Sequence, residues 1–348
     1  MLAAAFEKVN HVTACETQDP VVIADTDAII RVSMAGLCGS DLHPLFGREK
    51  GLDSGTVMGH ELVGTVVDTG NKVSKFQIGD RVCAPFSTNC GECHACKNQL
   101  PSRCELSQLF GWVAGGKGLQ GCQAEFARVP LADATLMKLP ENVSDQAALL
   151  LGDNFSTGFW CAELAGAGEG KTHLVIGCGT VGQLCIIAAR SMGARDIIAV
   201  DPVQSRRNQA ESLGAKGVSP EQAIQEVKTQ TSGRGADCVM ELVGLPEAQE
   251  LAYQAIRPGG TMSVIGCHCS PNFQFSPVDA YDKNLTYRTG RCPARHYMDL
   301  LTPRVAAGEF ELEPFITHRF ELKDAVKAYD VFANRKDNCR KAVFVVEN

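Results

Sequence analysis

Between Thr172 and Asp201 the chain carries a pattern that few folds can accommodate. Thr172-His173-Leu174-Val175-Ile176 is a short apolar run, Gly177-Cys178-Gly179-Thr180-Val181-Gly182 follows at once, and an Ala/Ile/Leu-rich stretch continues to Met192-Gly193. A second apolar run, Asp196-Ile197-Ile198-Ala199-Val200, then ends on Asp201. The short runs suit buried parallel strands, and the longer one, closed by Gly193, suits a helix. Strand, glycine turn, helix and strand make a βαβ unit. In such a unit Gly177 permits the tight turn, Gly179 lets backbone approach a pyrophosphate, and Gly182 lets helix and strand pack closely. Thr180 and Val181 belong to the same turn. A lone Gly-x-Gly-x-x-Gly is often only a packing turn; here the flanking strand, the helix and the terminal acid favour a dinucleotide site. Asp201 would accept hydrogen bonds from a ribose 2′-hydroxyl and repel a 2′-phosphate, so NAD is the expected cofactor.

With 348 residues the chain has room for two domains with cores of their own. Hydrophobic content of 45% beside 21% charged residues is that of a globular protein. The balance of 33 Lys and Arg against 40 Asp and Glu gives −7, which argues against a polyanion-binding surface and against a nucleic-acid partner. Met1-Leu2-Ala3-Ala4-Ala5-Phe6-Glu7-Lys8 does not read as a secretory signal, and no apolar run is long enough to span a bilayer. A cytoplasmic protein without a membrane partner is expected. In that setting the sixteen cysteines read as metal ligands and reduced core thiols rather than as a disulfide framework.

From Met1 to about Gly152 short strand-like runs are broken by glycine: Ala28 to Val32, Leu62 to Val67 and Arg81 to Ala84, with Gly70, Gly79 and Asp80 in the turns. This predicts a β-rich, partly closed barrel. Ala147 to Ala165 reads as helix interrupted near Gly152-Asp153. Later strands of the dinucleotide-binding part are expected at Asp237 to Glu241 and Thr261 to Gly266, the second introduced by a Pro258-Gly259-Gly260 turn. Beyond about Arg291 come two helical patterns and a closing strand, Ala342 to Val346. A single terminal strand needs partners, and the β-rich first domain can supply them. The expected class is therefore α/β, with a discontinuous β-rich domain over 1–153 and 291–348 and a doubly wound parallel sheet over 154–290 between them. Val243, Gly244, Ile265 and Gly266 fall at strand ends that should face the cofactor, and Arg206 stands where it would flank the adenosine.

Cys90-Gly91-Glu92-Cys93-His94-Ala95-Cys96 and then Cys104 give C-x2-C-x2-C-x7-C spacing. Four thiolates can close a tetrahedral zinc that has no open position and hence no chemistry. An iron–sulfur cluster could use the same ligands, but a chain with its own two-electron cofactor has no need of one. A second constellation is dispersed: Cys38-Gly39-Ser40-Asp41-Leu42-His43, then Gly59-His60-Glu61, then Gly152-Asp153. Cysteine, histidine and carboxylate are the ligand types of a catalytic zinc that keeps a fourth position for water or substrate. The residues alone only suggest that these segments meet.

Taken in this order, the dispersed ligands, the four-cysteine loop and the glycine turn resemble the zinc-dependent medium-chain alcohol dehydrogenases over essentially the whole chain. The wording around Asp80-Arg81-Val82, Cys90 to Cys104 and Leu149 to Gly158 is most similar to the short formaldehyde-dehydrogenase-like branch. The resemblance implies a GroES-like catalytic domain, a Rossmann coenzyme domain, NAD and two zinc ions per chain. It makes Cys38, His60 and Asp153 ligands of the catalytic zinc and Cys90, Cys93, Cys96 and Cys104 those of the structural one. It places Glu61 beside the metal, able to enter its shell transiently, and gives Asp41 the second ring nitrogen of His60. Ser40 would bond the substrate oxygen, and His43 would pass the proton outward. Thr157 would touch the nicotinamide and Lys341 would reach the pyrophosphate. Many relatives have cysteine or glutamate where this chain has Asp153, and the long insertion of some formaldehyde dehydrogenases is missing. Phe86, Trp112 and Phe155 are candidates for lining a substrate pocket.

The implied reaction is reversible oxidation of a primary or secondary alcohol to aldehyde or ketone. Polyol dehydrogenation is the nearest rival, and a non-catalytic NAD- and zinc-binding protein is the reading from another class. A homo-oligomer is expected, a tetramer ahead of a dimer.

Overall fold

The structure, a computed structural model, describes residues 1–346. It contains two compact units: Met1–Ser156 together with the segment from Pro293 onward, and Thr157–Cys292. The first division lies inside the helix Asn154–Ala165, three residues past the expected edge at 153. The chain breaks at Asp153 but then continues as helix, so no linker marks the change of unit.

The first unit is built on the strand Ala28–Gly36, whose buried residues Ala28, Ile30, Val32 and Ala35 enter one apolar core with Leu62, Val66, Val82 and Phe110. Along one edge it pairs antiparallel with Leu62–Thr69, which in turn pairs with Arg81–Ala84. Its other edge is shared between two segments: Phe126–Val129 covers residues 28–31, and the closing strand Lys341–Val345 covers residues 34–36. The terminal strand thus finds its partner in the first segment, which is why the unit is discontinuous. The parallel neighbour Ile316–Phe320 completes this side of the sheet. A smaller sheet of His11–Glu16, Leu2–Lys8 and Thr56–Val57 packs with the helix Ala325–Ala333 around a second core that includes Leu37, Met58, Tyr329 and Phe344.

The predicted helical interruption is real. Ser144 caps Asp145–Gly152 by accepting from Ala147 N at 3.1 Å, and Asp153, at φ −145° and ψ −72°, ends it. A Cβ on Gly152 would stand 2.6 Å from the carbonyl oxygen of Ala84. Only glycine lets the helix end settle this closely on the strand, and that approach sets where Asp153 emerges.

In the second unit six parallel strands lie in the order Lys216–Val218, Asp196–Val200, Thr172–Ile176, Ala236–Glu241, Ile256–Val264, Thr286–Thr289. By chain position this is 3-2-1-4-5-6, the doubly wound arrangement of dinucleotide-binding domains, whose direction reverses between Thr172–Ile176 and Ala236–Glu241. Ligands bind such sheets at the carboxyl ends of those strands. The Pro258-Gly259-Gly260 turn does not precede a strand as expected. It is a bulge inside Ile256–Val264, with Ala236 opposite Ile256, Cys238 opposite Thr261 and Gly259 at φ +70°. Among the described residues no helix is long and apolar enough to cross a membrane.

Candidate functional site

Within the first unit, Cys38, His60 and Asp153 are delivered by a strand end, a glycine turn and the helix break just described. Cys38 follows Ala28–Gly36 and caps the single turn Gly39–Asp41; His60 follows Gly59, whose φ of +90° only glycine adopts readily. Cys38 Sγ is 3.5 Å and His60 Nε2 3.7 Å from Asp153 Oδ2. A tetrahedral zinc with sulfur at about 2.3 Å and nitrogen or oxygen at about 2.0–2.2 Å sets its ligand atoms about 3.5 Å apart, so these three fit the metal as they stand. His60 Nδ1 faces Asp41 Oδ1 at 3.2 Å, leaving Nε2 for coordination, and Ser40 Oγ stands 3.2 Å from that Nε2. Three side chains of zinc-ligand type, with the Ser40 hydroxyl beside them and Glu61 in the same cluster, have the spacing to hold a metal ion.

Burial, reinforced by Asp153, raises the Cys38 thiol. Burial alone would lower the His60 imidazolium, but Asp41 and Asp153 together raise it well above its ordinary value. Burial opposes ionisation of Asp153, yet the hydrogen bond and charge of His60, with Lys341, hold it down at about 2. Glu61 is fully buried in the same cluster, its oxygens 2.6 and 2.5 Å from Lys341 Nζ and one of them 2.9 Å from Asn154 Nδ2. Lys341 also donates to the carbonyl of Leu37 at 2.9 Å. Burial would lower its ammonium, but Glu61 and then Cys38 raise it, while burial raises the Glu61 carboxyl against the opposing charge of Lys341.

The four loop cysteines also converge, with sulfur atoms all within 4.8 Å of one another. Backbone N–H groups are turned onto them: Cys90 donates to Cys104 Sγ at 3.2 Å, and Cys93 and Glu92 donate to Cys90 Sγ at 3.3 and 3.4 Å. Amides from Cys96 and Glu105 bring the Cys93 thiol down to about 6, whereas burial raises Cys104 and pushes Cys96 up to about 12. Such donors favour thiolate sulfur, the form zinc requires. No disulfide joins any of the sixteen cysteines.

In the second unit the glycines behave as two kinds. A Cβ on Gly182 would fall 1.8 Å from Gly177 O, and Gly177 sits at φ +94° against Val243, so both are required by the fold. Gly179 caps the helix Thr180–Ser191, and a Cβ there would meet nothing closer than Arg206 Nη1 at 3.9 Å. The space over Gly179 is left open, as a pyrophosphate at a helix N-terminus requires. Asp201 accepts from Cys178 N and Val203 N, both at 2.9 Å, with Arg206 Nη1 at 3.8 Å. Across the switch point Gly244 and Gly266 are pressed together: a Cβ on Gly266 would lie 2.1 Å from Gly244 N. Val243 is partly exposed beside them, Ile265 donates its N–H to Glu241 O at 2.9 Å, and Thr157 opens the unit half-buried.

Two family models match the chain, the alcohol dehydrogenase GroES-like domain over 24–141 and the zinc-binding dehydrogenase over 180–306. A zinc-type alcohol dehydrogenase B of Aspergillus flavus is 38% identical over 99% of this chain and 81% of its own. The chain belongs to the zinc-dependent medium-chain alcohol dehydrogenases. It is also 30% identical to an L-threonine 3-dehydrogenase of Pyrococcus furiosus, over 92% of this chain and 91% of that protein. The solved alcohol dehydrogenase of Thermus sp. ATN1 superposes over the full length of both chains at a TM-score of 0.93 and 35% identity.

For this alcohol dehydrogenase one expectation about the site needs correction. Lys341 does not extend toward a pyrophosphate; it is 1% exposed, and its ammonium is consumed by Glu61 and Leu37. Phe155 is fully buried edge-on against Phe310 at 4.8 Å, and Phe86 is buried too. Sequence reading missed Asn154, which bridges Glu61 and Asp153 at 2.9 and 3.0 Å. It also missed Glu241, which accepts from Val243 N and Gly244 N at 2.7 and 2.8 Å and pairs with His268 at 2.9 Å. The signal for Glu241 was available: like Asp201, it is an acid ending a strand beside the central one.

Because Cys38 and His60 both hold protons more tightly than usual and must lose them to bind metal, uptake at this centre should release protons. Zinc affinity measured by chelator competition should rise from about pH 6 to about pH 8, by about tenfold per proton per pH unit. A flat profile would show that these two groups are not the ligands.

Proposed function

We propose that this chain oxidises a primary or secondary alcohol with NAD, reversibly, to the aldehyde or ketone. The observation that carries the reading is the cluster of Cys38, His60, Glu61 and Asp153, with Ser40 Oγ 3.2 Å from His60 Nε2; in it Cys38, His60 and Asp153 would be the ligands and a fourth position would take the substrate. When bound there, zinc supplies a Lewis acid for the alcohol oxygen and NAD supplies the hydride acceptor. Cys90, Cys93, Cys96 and Cys104 would hold a second zinc that only braces their loop. Gly177, Gly179, Thr180, Val181 and Gly182 would cradle the pyrophosphate, and Val243, Gly244, Ile265, Gly266 and Thr157 the nicotinamide half. Asp201 keeps lone pairs beyond its two backbone bonds, which suits a ribose diol, with Arg206 flanking the adenosine.

The chain's own work is to place and move a proton. Ser40 accepts the hydroxyl proton of the alcohol and hands its own onward. His43, on the turn after Cys38, is buried; burial first and Arg48 second lower its pKa, so the ring is neutral near pH 7 and ready to accept. Glu61 is fixed by Lys341 and Asn154, which places any entry of its carboxylate into the metal shell at the expense of that pair. Thiol-rich ligation suits a reducing, cytoplasmic setting, and we propose a homo-oligomer, a tetramer ahead of a dimer, with the outermost strand Thr286–Thr289 offering one edge for pairing.

The test is to follow NADH or NADPH formation over a panel of short, long, aromatic and poly-hydroxylated alcohols. Threonine belongs in the panel, since one relative bears its name. A simple alcohol with NAD should give the highest kcat/KM and NADP much less, with Asp201→Gly narrowing the gap. A best substrate with several hydroxyls would move the reading to polyols, and no turnover in zinc-loaded protein would leave a binding protein.

His43→Gln keeps a polar side chain but removes the titrating ring. The oxidation rate near neutral pH should fall roughly tenfold to a hundredfold and recover in part with added imidazole. An unchanged pH–rate profile without rescue would make His43 structural.

A further inference from the structure

The hydrogen bonds that orient the candidate catalytic ligands do not stop at Asp41. One carboxylate oxygen of Asp41 faces His60 Nδ1, while the other accepts from the Cys38 N–H at 2.9 Å and from Gln123 Nε2 at 3.3 Å. Gln123 is fully buried; its amide also donates to Gly36 O at 2.9 Å, and its Oε1 accepts from the Tyr329 hydroxyl at 2.7 Å. Its orientation is dictated, because a flipped amide would set Oε1 against a carboxylate and a carbonyl. The backbone of Gln123 is pinned as well, donating to Met58 O at 2.9 Å and accepting from Ala4 N at 2.8 Å. Its side chain lies over the α-carbon of Gly59, where a Cβ would stand 2.4 Å from Gln123 Cγ. Gln123 therefore presses on the residue before His60 while it grips the carboxylate that holds the ring of His60.

We propose that Gln123, held by Tyr329, is a positioning residue for the Cys38, His60 and Asp153 metal centre. It locks Asp41, and Asp41 in turn fixes both the backbone of Cys38 and the ring of His60. The chain Tyr329, Gln123, Asp41, His60 couples the helix Ala325–Ala333, near the end of the sequence, to a site assembled from its first half. Each member has a partner for every polar group the arrangement uses, and a buried network completed in this way holds its members rigidly. The inference rests on the reading of Cys38, His60 and Asp153 as a metal centre.

The experiment loads the full-length protein with cobalt(II), leaving the four-cysteine site filled as an internal control. It measures affinity at the second site by chelator competition and records the visible ligand-field bands. Gln123→Met, similar in volume but without the amide, should bind about tenfold more weakly, the lower end of what outer-shell partners contribute to metal affinity, with displaced bands. Tyr329→Phe should show a smaller loss in the same direction, and the double variant should be no weaker than Gln123→Met alone, because both act through one chain of bonds. Parent affinity and an unchanged spectrum in Gln123→Met overturn the proposal; if that variant does not fold, the same result in Tyr329→Phe does so. If the parent takes up metal only at the four cysteines, the centre itself is misread, and that failure appears before any variant is made.

Discussion

The fully buried ion pair between Lys341 and Glu61 is the constraint around which the first unit closes. Taking two charges out of water costs several kcal/mol per ion, and the cost is recovered only with good geometry and further hydrogen bonds. Here Lys341 meets both carboxylate oxygens and the carbonyl of Leu37, and Asn154 supplies another donor to Glu61. The pair joins the closing strand to the turn after Gly59, and through Leu37 to the residue preceding Cys38. Breaking it would strand a carboxylate beside Asp153 and Cys38. The discontinuous chain path, the register of Lys341–Val345 on Ala28–Gly36 and the convergence of Cys38, His60, Glu61 and Asp153 are therefore linked.

The charge balance points the same way. Cys38, Glu61, Asp153 and Asp41 crowd a small volume against His60 and Lys341. Burial raises the Cys38 thiol against that crowding, and Asp41 and Asp153 raise the His60 imidazolium. A divalent cation held there, as proposed, would replace the protons of those two groups with a charge of its own. The second unit solves a different problem, with little charge and much close packing. Gly182 against Gly177 and Gly266 against Gly244 bring backbones together, while Asp201 and Glu241 each end a strand and accept two backbone N–H groups.

Much of this was legible in the sequence, and the parts that were share a cause. The βαβ unit, the Arg81–Ala84 strand, the four-cysteine loop and the interruption at Gly152-Asp153 are written in residues near one another, where periodicity and spacing carry the information. The illegible parts depend on partners far away in the chain. Nothing beside Lys341 says that its ammonium will meet Glu61, 280 residues distant, rather than solvent. Gln123 and Asn154 look like ordinary polar residues until the fold brings Asp41 and Glu61 to them. The Pro258-Gly259-Gly260 turn was misplaced because its residues mark a bulge as readily as a strand start, and only pairing with Ala236–Glu241 distinguishes the two.

The central claim is that one unit holds two metal centres of different character, one closed by sulfur and one open beside Ser40. Anomalous diffraction at the zinc absorption edge, from crystals of the zinc-loaded protein, tests it directly. Two peaks per chain are predicted, one enclosed by Cys90, Cys93, Cys96 and Cys104, the other touching Cys38, His60 and Asp153 while Glu61 stays paired with Lys341. A single peak, or a second peak that takes Glu61 in place of Asp153, would contradict the account.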